Sequence, residues 1–335
     1  MSTERTYPAP PFDAELAPML AELTSQIPST LSLDDLLAMR APPPEAAIDE
    51  MLAARDIVRT DHIVPGLDGD PGITVSVFMK RTHVPGGPGI YTVHGGGMVL
   101  GNRLAGAVMA LEWVQLFDAV AIGVEYRLAP EHPDPAPIRD CYAGLVWTAA
   151  HAGDLGFDPG RLIITGASAG GGLAAGTALM ARDHGGPALA AQILVCPMID
   201  DRNDTISSRQ FDGVGLWDRS ANKVGWDALL GDRRGTDQVS IYAAPARATD
   251  LSGLPPAYID CGSAEVFRDE DVAYASAIWA AGGTAELHIW AGGFHSFDGM
   301  VPQAAISVAA RATRTEFVGR ILGMSGRTMD PLDAG

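Results

Sequence analysis

Short apolar runs recur along this chain and alternate with longer stretches of helical character. "ITVSVFM" (residues 73–79) alternates apolar and polar side chains with period two, which predicts a half-buried strand. "GIYTVHGG" ends a strand in glycines. "AVAIGVEY" (residues 119–126), "LIITG", "AQILVCP" and "PAYIDCG" are continuous apolar runs, which predict strands covered on both faces. "AELHIWAGG" predicts a last strand. Between these runs, "AGAVMALEWVQLF", "APIRDCYAGLVWTAAHAG", "GGLAAGTALMARDHGG" and "EDVAYASAIWAAGG" read as helices, and "QAAISVAARATRTEFVGRIL" as a last helix. Strand–helix alternation of this kind folds into an α/β domain, with a mostly parallel sheet and helices on both faces.

Two segments break the rhythm. Residues 1–50 hold the helical patterns "DAELAPMLAEL" and "SLDDLLAM", punctuated by Pro28 and by Pro42, Pro43 and Pro44. Neither pattern can form a core alone, so an N-terminal helical cap segment packing onto a larger body is expected. Residues 201–253 carry Phe211, Leu216, Trp217 and Trp226 among scattered charges, the pattern of an inserted cap segment. The catalytic domain is then expected over residues 51–200 and 254–335. No internal repeat or low-complexity tract is evident.

Composition narrows the function classes. The 335 residues are 47% apolar and 19% charged, a globular balance, and the net charge of −18 repels phosphate backbones and argues against nucleic acid. Cys141, Cys196 and Cys261 are odd in number and have no metal-ligand spacing, as expected of buried thiols in a reducing compartment. "MSTERTYPAPPFDAEL" has no apolar signal core, and no apolar run approaches the roughly 18 residues of a membrane span. A cytoplasmic, soluble protein is the expectation.

Candidate chemistry starts at "LIITGASAGGGLAAG" (residues 162–176). Gly166-Ala167-Ser168-Ala169-Gly170 fits G-x-S-x-G between an expected strand and an expected helix. A sharp reversal there forces the apex toward strained angles, and glycines two positions away remove collisions and leave the hydroxyl exposed. The helix N-terminus beyond it favours negative charge on a reacting oxygen. A purely structural turn and a phosphate-cradling turn are the alternatives, although no lysine follows the glycines as a P-loop requires. One strand earlier, "YTVHGGGMVLG" (residues 91–101) holds three successive glycines, whose use would be to bring backbone N–H groups to a ligand oxygen. Gly95 and Gly96 would donate, with Ala169 as a third donor, while His94 braces the loop.

A serine nucleophile needs a base. His295 in "WAGGFHSFDGM" follows the last strand through a Gly-Gly turn, at the sheet edge where the serine turn should lie. His288 sits inside that strand and reads as structural. The acid should follow "PAYIDCG": Glu265 lies in the loop just after it, with Asp269 and the strand-end Asp260 as alternatives. The order serine, acid, histidine is that of α/β-hydrolases.

With these residues in view, the sequence resembles the bacterial hormone-sensitive-lipase-like esterases of the α/β-hydrolase superfamily. "HGGGMVLG", "EYRLAPEHPDPAP", "GASAGGGLAAG", "SAEVFRDED" and "GGFHSF" occur in the family's order, from about residue 70 to 300. The resemblance implies an eight-stranded sheet with one antiparallel strand under a helical cap. It implies a cofactor-free, metal-free serine esterase for short to medium acyl chains, and a possible homodimer along "AELHIWA". Carried over by position, Ser168 is the nucleophile, Glu265 the acid, His295 the base, and Gly95, Gly96 and Ala169 the oxyanion hole. Three positions depart from the common pattern: Glu265-Val266-Phe267 where many members have Asp-Pro-Leu, Met98 in place of an aromatic residue, and Ala167 before the serine. Met98, Phe211, Leu216 and Trp217 are candidates for substrate contact. The same triad would serve an amidase or a lactone hydrolase, and a hydrolase-like receptor would keep the pocket without turnover; the intact Ser168 and His295 contexts argue against the receptor.

Overall fold

The computed structural model describes residues 7–28, 30–40 and 45–327; Pro42, Pro43 and Pro44 lie outside them. Eight strands form one sheet: β1 Ile57–Val64, β2 Ile73–Lys80, β3 Gly87–Val93, β4 Val120–Glu125, β5 Phe157–Ala167, β6 Ala191–Val195, β7 Ala257–Gly262 and β8 Ala285–Trp290. Their spatial order is β1-β2-β4-β3-β5-β6-β7-β8. β2 runs antiparallel to both neighbours, and every pairing from β4 to β8 is parallel.

The continuous apolar runs are explained by two cores, one on each face. On one face Val75, Val77, Tyr91, Val93, Ile122 and Ile164 meet helices Ala136–Ala150, Ala169–Asp183 and Arg268–Ala280. On the other, Phe78, Ile90, Ala121, Ile163 and Tyr258 meet Trp113 and Phe117 of helix Leu111–Phe117 and Phe317 and Val318 of helix Ala305–Ile321. Neighbours such as Ile90 and Tyr91 point to opposite cores, as the period of two requires.

The structure departs from the sequence reading in three places. β2 is not half-buried: Val75, Ser76, Val77 and Phe78 are all buried. Ser76 is tolerated inside because its hydroxyl donates to Asp61 Oδ1 (2.6 Å) and accepts from Arg103 Nε (2.7 Å). β1 was not marked by any apolar run; only its end residues Ile57 and Val64 are buried, and Arg59, Asp61 and His62 lie between them. Helix Glu45–Ala54 runs across the boundary expected after residue 50, and its Leu52, with Ile48 and Met51, packs on the sheet core.

The N-terminal arm crosses the C-terminal rim of the sheet. Its helix Ala17–Ser25 brings Leu20, with Leu16 before it, against Phe294 and Phe297. Helix Leu33–Ala38 starts in a capping box between Ser32 and Asp35, and its Leu36 joins Leu31, Val99 and Ala221. Ala221 belongs to helix Arg219–Leu230, so the arm meets the 201–253 segment. Among the described residues no helix is long and apolar enough to cross a membrane. Cys141, Cys196 and Cys261 are free and buried.

Candidate active site

β5 ends at Ala167 and helix Ala169–Asp183 begins at the second residue on, so Ser168 alone makes the reversal. Its φ of 58° and ψ of −126° are strained for an L residue. The flanking glycines are sterically required: a Cβ on Gly166 would lie 2.2 Å from the Gly170 carbonyl oxygen, and one on Gly170 would lie 2.2 Å from that of Val93. The apex is pinned by its own backbone. Ser168 N–H donates to the Val195 carbonyl (2.8 Å), and its carbonyl accepts from the N–H of Met198 (2.9 Å).

Three side chains distant in sequence meet here. His295 Nε2 lies 2.9 Å from Ser168 Oγ, and His295 Nδ1 lies 2.7 Å from Glu265 Oε2. An ionised carboxylate can only accept, so Nδ1 carries the proton and Nε2 is left to accept from the serine hydroxyl. All three are buried. Glu265 Oε1 accepts from the N–H of Gly262 (2.8 Å), which fixes the carboxylate plane. The loops carrying acid and base are stitched together: Ser263 N–H donates to the Trp290 carbonyl (2.8 Å) and Ala264 N–H to that of Gly293 (3.0 Å). Their approach leaves no room for a side chain at residue 262, where a Cβ would lie 1.8 Å from the Gly293 oxygen.

The other acids serve elsewhere. Asp269 accepts from Ser207 N–H (2.8 Å) and Arg268 Nε (2.8 Å), anchoring the start of helix Ile206–Gln210. Asp260 accepts from Arg314 Nη2 (2.9 Å). His94 donates from Nδ1 to the Gly95 carbonyl (2.8 Å), stacks on Tyr126 with ring centroids 4.0 Å apart, and is braced by the Tyr126 hydroxyl, which donates to its carbonyl (2.9 Å). Burial holds its imidazole down at about 4, against the Gly95 carbonyl, which favours the cation. His288 lies in β8 and meets Glu286 Oε1 at 2.9 Å.

The glycine loop sits beside the serine: a Cβ built on Gly95 would be 3.4 Å from Ser168 Cβ. Positive φ at Gly96 (114°), Gly97 (61°) and Met98 (64°) curls the loop back on itself, and Val99 and Leu100 N–H both donate to the Gly96 carbonyl. Among the described residues the N–H groups of Gly95, Gly96 and Ala169 donate to no protein acceptor. Backbone donors left free beside a nucleophile are suited to a developing oxyanion.

A cavity of about 420 Å³ opens between the N-terminal arm and residues 213–218, lined by Phe12, Leu20, Thr24, Ile27 and Leu216 among others. Of the four candidate substrate residues, Leu216 alone lines it. Met98 is fully buried in the sheet core, and Phe211 is buried with its ring 6.1 Å from that of Phe12. Trp217 packs on the glycine loop, its Cη2 2.5 Å from where a Gly97 Cβ would stand. Trp226 is also core. The arm residues Phe12, Leu20 and Ile27 escaped the sequence reading, because an amphipathic arm shows an apolar face without showing what it covers. Cys196, Glu265 and His295 have ligand-type atoms within 4.8 Å of one another. Burial pushes the Cys196 thiol well up, and both imidazole nitrogens are engaged, so this set is poorly suited to a metal.

A mostly parallel sheet with a serine elbow after β5, an acid after β7 and a histidine after β8 defines an α/β-hydrolase-type protein. The comparisons agree. A family profile described as alpha/beta hydrolase fold matches residues 90–299. The carboxylesterase NlhH of Mycobacterium tuberculosis is 33% identical over 319 residues, covering 90% of this chain and 95% of NlhH. Esterase LipI of the same species is 31% identical, covering 86% of this chain and 90% of LipI. A solved bacterial heroin esterase superposes with a TM-score of 0.84 at 38% identity, covering 93% of this chain and 98% of that structure. The chain belongs to the α/β-hydrolase superfamily, within its hormone-sensitive-lipase-like esterases.

Proposed function

We propose that this chain is a serine carboxylesterase that hydrolyses short- to medium-chain carboxylic esters through an acyl-enzyme. The observation that carries the reading is the unbroken relay from Glu265 through His295 to Ser168, at 2.7 and 2.9 Å. Its ester-hydrolysing relatives support the reaction class. Ser168 Oγ attacks the ester carbonyl while His295 Nε2 takes its proton. Glu265 holds the imidazole in the Nδ1–H tautomer and stabilises the imidazolium. The N–H groups of Gly95, Gly96 and Ala169 receive the oxyanion, an interaction for which each donor is worth about 100- to 1,000-fold. His295 then protonates the leaving alcohol, and water attacks the acyl-enzyme by the same steps reversed in role.

The N-terminal arm and residues 201–253 act as the cap. The cavity between the arm and residues 213–218, which neither Ser168, His295 nor an oxyanion donor lines, is the nearby space for an apolar group extending from the site. Acyl chains of about two to eight carbons are the substrates this reading expects, since among the described residues no long apolar groove leads from the serine. No phosphate-binding basic cluster is needed for such a neutral ester, which agrees with the net charge of −18. A cytoplasmic location and a homodimer paired along β8, the half-exposed edge strand, belong to the same reading.

Ser168→Ala tests the mechanism. It is expected to lose turnover of p-nitrophenyl butyrate while remaining folded; full turnover would refute the serine mechanism. An amide bearing the same acyl group separates esterase from amidase, and the amide is expected to turn over far more slowly.

A further inference from the structure

Acid and base stand on loops after two different strands, and a hydrogen bond of 2.7 Å between them needs those loops held at one spacing. Backbone contacts supply part of this. A second tie comes from the C-terminal helix Ala305–Ile321, beyond the residues 90–299 matched by the family profile. Arg314 is 4% exposed, and its Nη2 donates to Asp260 Oδ2 and to Asp298 Oδ2, both at 2.9 Å. Asp260 belongs to β7, from whose end the Glu265 loop leaves; it also accepts from the Tyr258 hydroxyl (3.1 Å) and Trp290 Nε1 (3.3 Å). Asp298 belongs to the short helix Phe297–Met300, directly after His295. One turn before Arg314 on helix Ala305–Ile321, Arg311 donates to the carbonyls of Asp298 (2.8 Å) and Pro302 (2.7 Å). Arg314, Asp260 and Asp298 also line one small cavity, about 10 Å³, together with Glu265, Cys196 and Ser296.

We infer that Arg314 is a positioning residue for the acid–base pair: one buried guanidinium nitrogen, shared by Asp260 and Asp298, locks the Glu265 and His295 loops at their working separation. A buried guanidinium is costly to desolvate and is weak evidence of stability for its own sake. What it provides is geometry, since a single charged donor fixes the distance between two carboxylates on two loops. Losing the Asp298 arm of the clamp leaves the His295 turn tied to the helix only through Arg311 and main-chain carbonyls, while Arg314 keeps Asp260 as its counter-ion. This role rests on reading Ser168, His295 and Glu265 as the triad.

The test compares Asp298→Ala, which cuts the tie, with Asp298→Asn, which keeps an acceptor for Arg314. kcat and KM for p-nitrophenyl butyrate are measured per active site titrated with an organophosphate, so that unfolded molecules drop out. Misplacement of a catalytic group is expected to lower kcat per site about 10- to 100-fold in Asp298→Ala, with KM within twofold. Asp298→Asn is expected to recover most of it. The positioning role is overturned if Asp298→Ala keeps kcat per site within twofold, or if Asp298→Asn is no better than Asp298→Ala. Ser168→Ala, assayed alongside, is expected to be dead; turnover by that variant would refute the triad itself, and the positioning role with it.

Discussion

Individual side chains in this chain are set by burial as much as by contact. Glu265 is useful because it is a carboxylate held on one side by Gly262 N–H and on the other by His295. Glu265→Gln keeps the shape but donates an amide N–H where the imidazole must donate, so the wrong tautomer is favoured. kcat is expected to fall about 100- to 10,000-fold with a nearly unchanged KM, read from steady-state kinetics. Further along, burial pushes the Asp271 carboxyl well above its usual range, with Glu270 and Glu265 adding like charge. An acid raised on folding binds more protons in the native than in the unfolded state, so stability is full below about 3.9 and falls as pH rises toward the raised value. Asp271→Asn removes that loss. It is expected to raise the melting temperature at pH 8 more than at pH 5, and equal shifts at both would contradict the assignment. His94 has the opposite sign. Its imidazole is held at about 4, so the unfolded chain takes the proton first, and stability is lost as pH falls from about 6.5 toward about 4.

Elements carry the next level of constraint. The elbow needs two glycines because strand and helix close to backbone contact around Ser168. Gly170→Ala is expected to cost about 3 kcal/mol by overpacking, seen as a lower denaturant midpoint with an unchanged slope. The arm helix Ala17–Ser25 forms one wall of the cavity through Leu20. Leu20→Trp should fill part of that space and shift the acyl-length optimum toward acetate, which a series of p-nitrophenyl esters would read; an unchanged optimum would place substrate elsewhere. The strands with continuous apolar runs were legible in the sequence because both sheet faces are covered, and Ser168 and His295 were legible because glycines crowd them. β1 was not, since its middle residues Arg59, Asp61 and His62 face partly outward at a sheet edge. Glu265 was separable from Asp269 and Asp260 only by its place in the loop, and the structure gives each of those two a different partner. Arg314 carried no signal at all: one arginine in an amphipathic helix reads as surface until the fold buries it.

At the scale of the molecule, one sheet collects chemistry from segments more than a hundred residues apart onto its C-terminal rim, where the N-terminal arm packs on Phe294 and Phe297 and meets Ala221 of helix Arg219–Leu230. The proposed function depends on an acyl-enzyme at Ser168. The most direct measurement is intact-mass and peptide mapping of the protein after reaction with diethyl p-nitrophenyl phosphate. One diethylphosphoryl group per chain on Ser168, appearing in step with loss of butyrate-ester turnover, is the predicted result. Full inactivation with the label on another residue, or complete labelling of Ser168 with turnover intact, would contradict it.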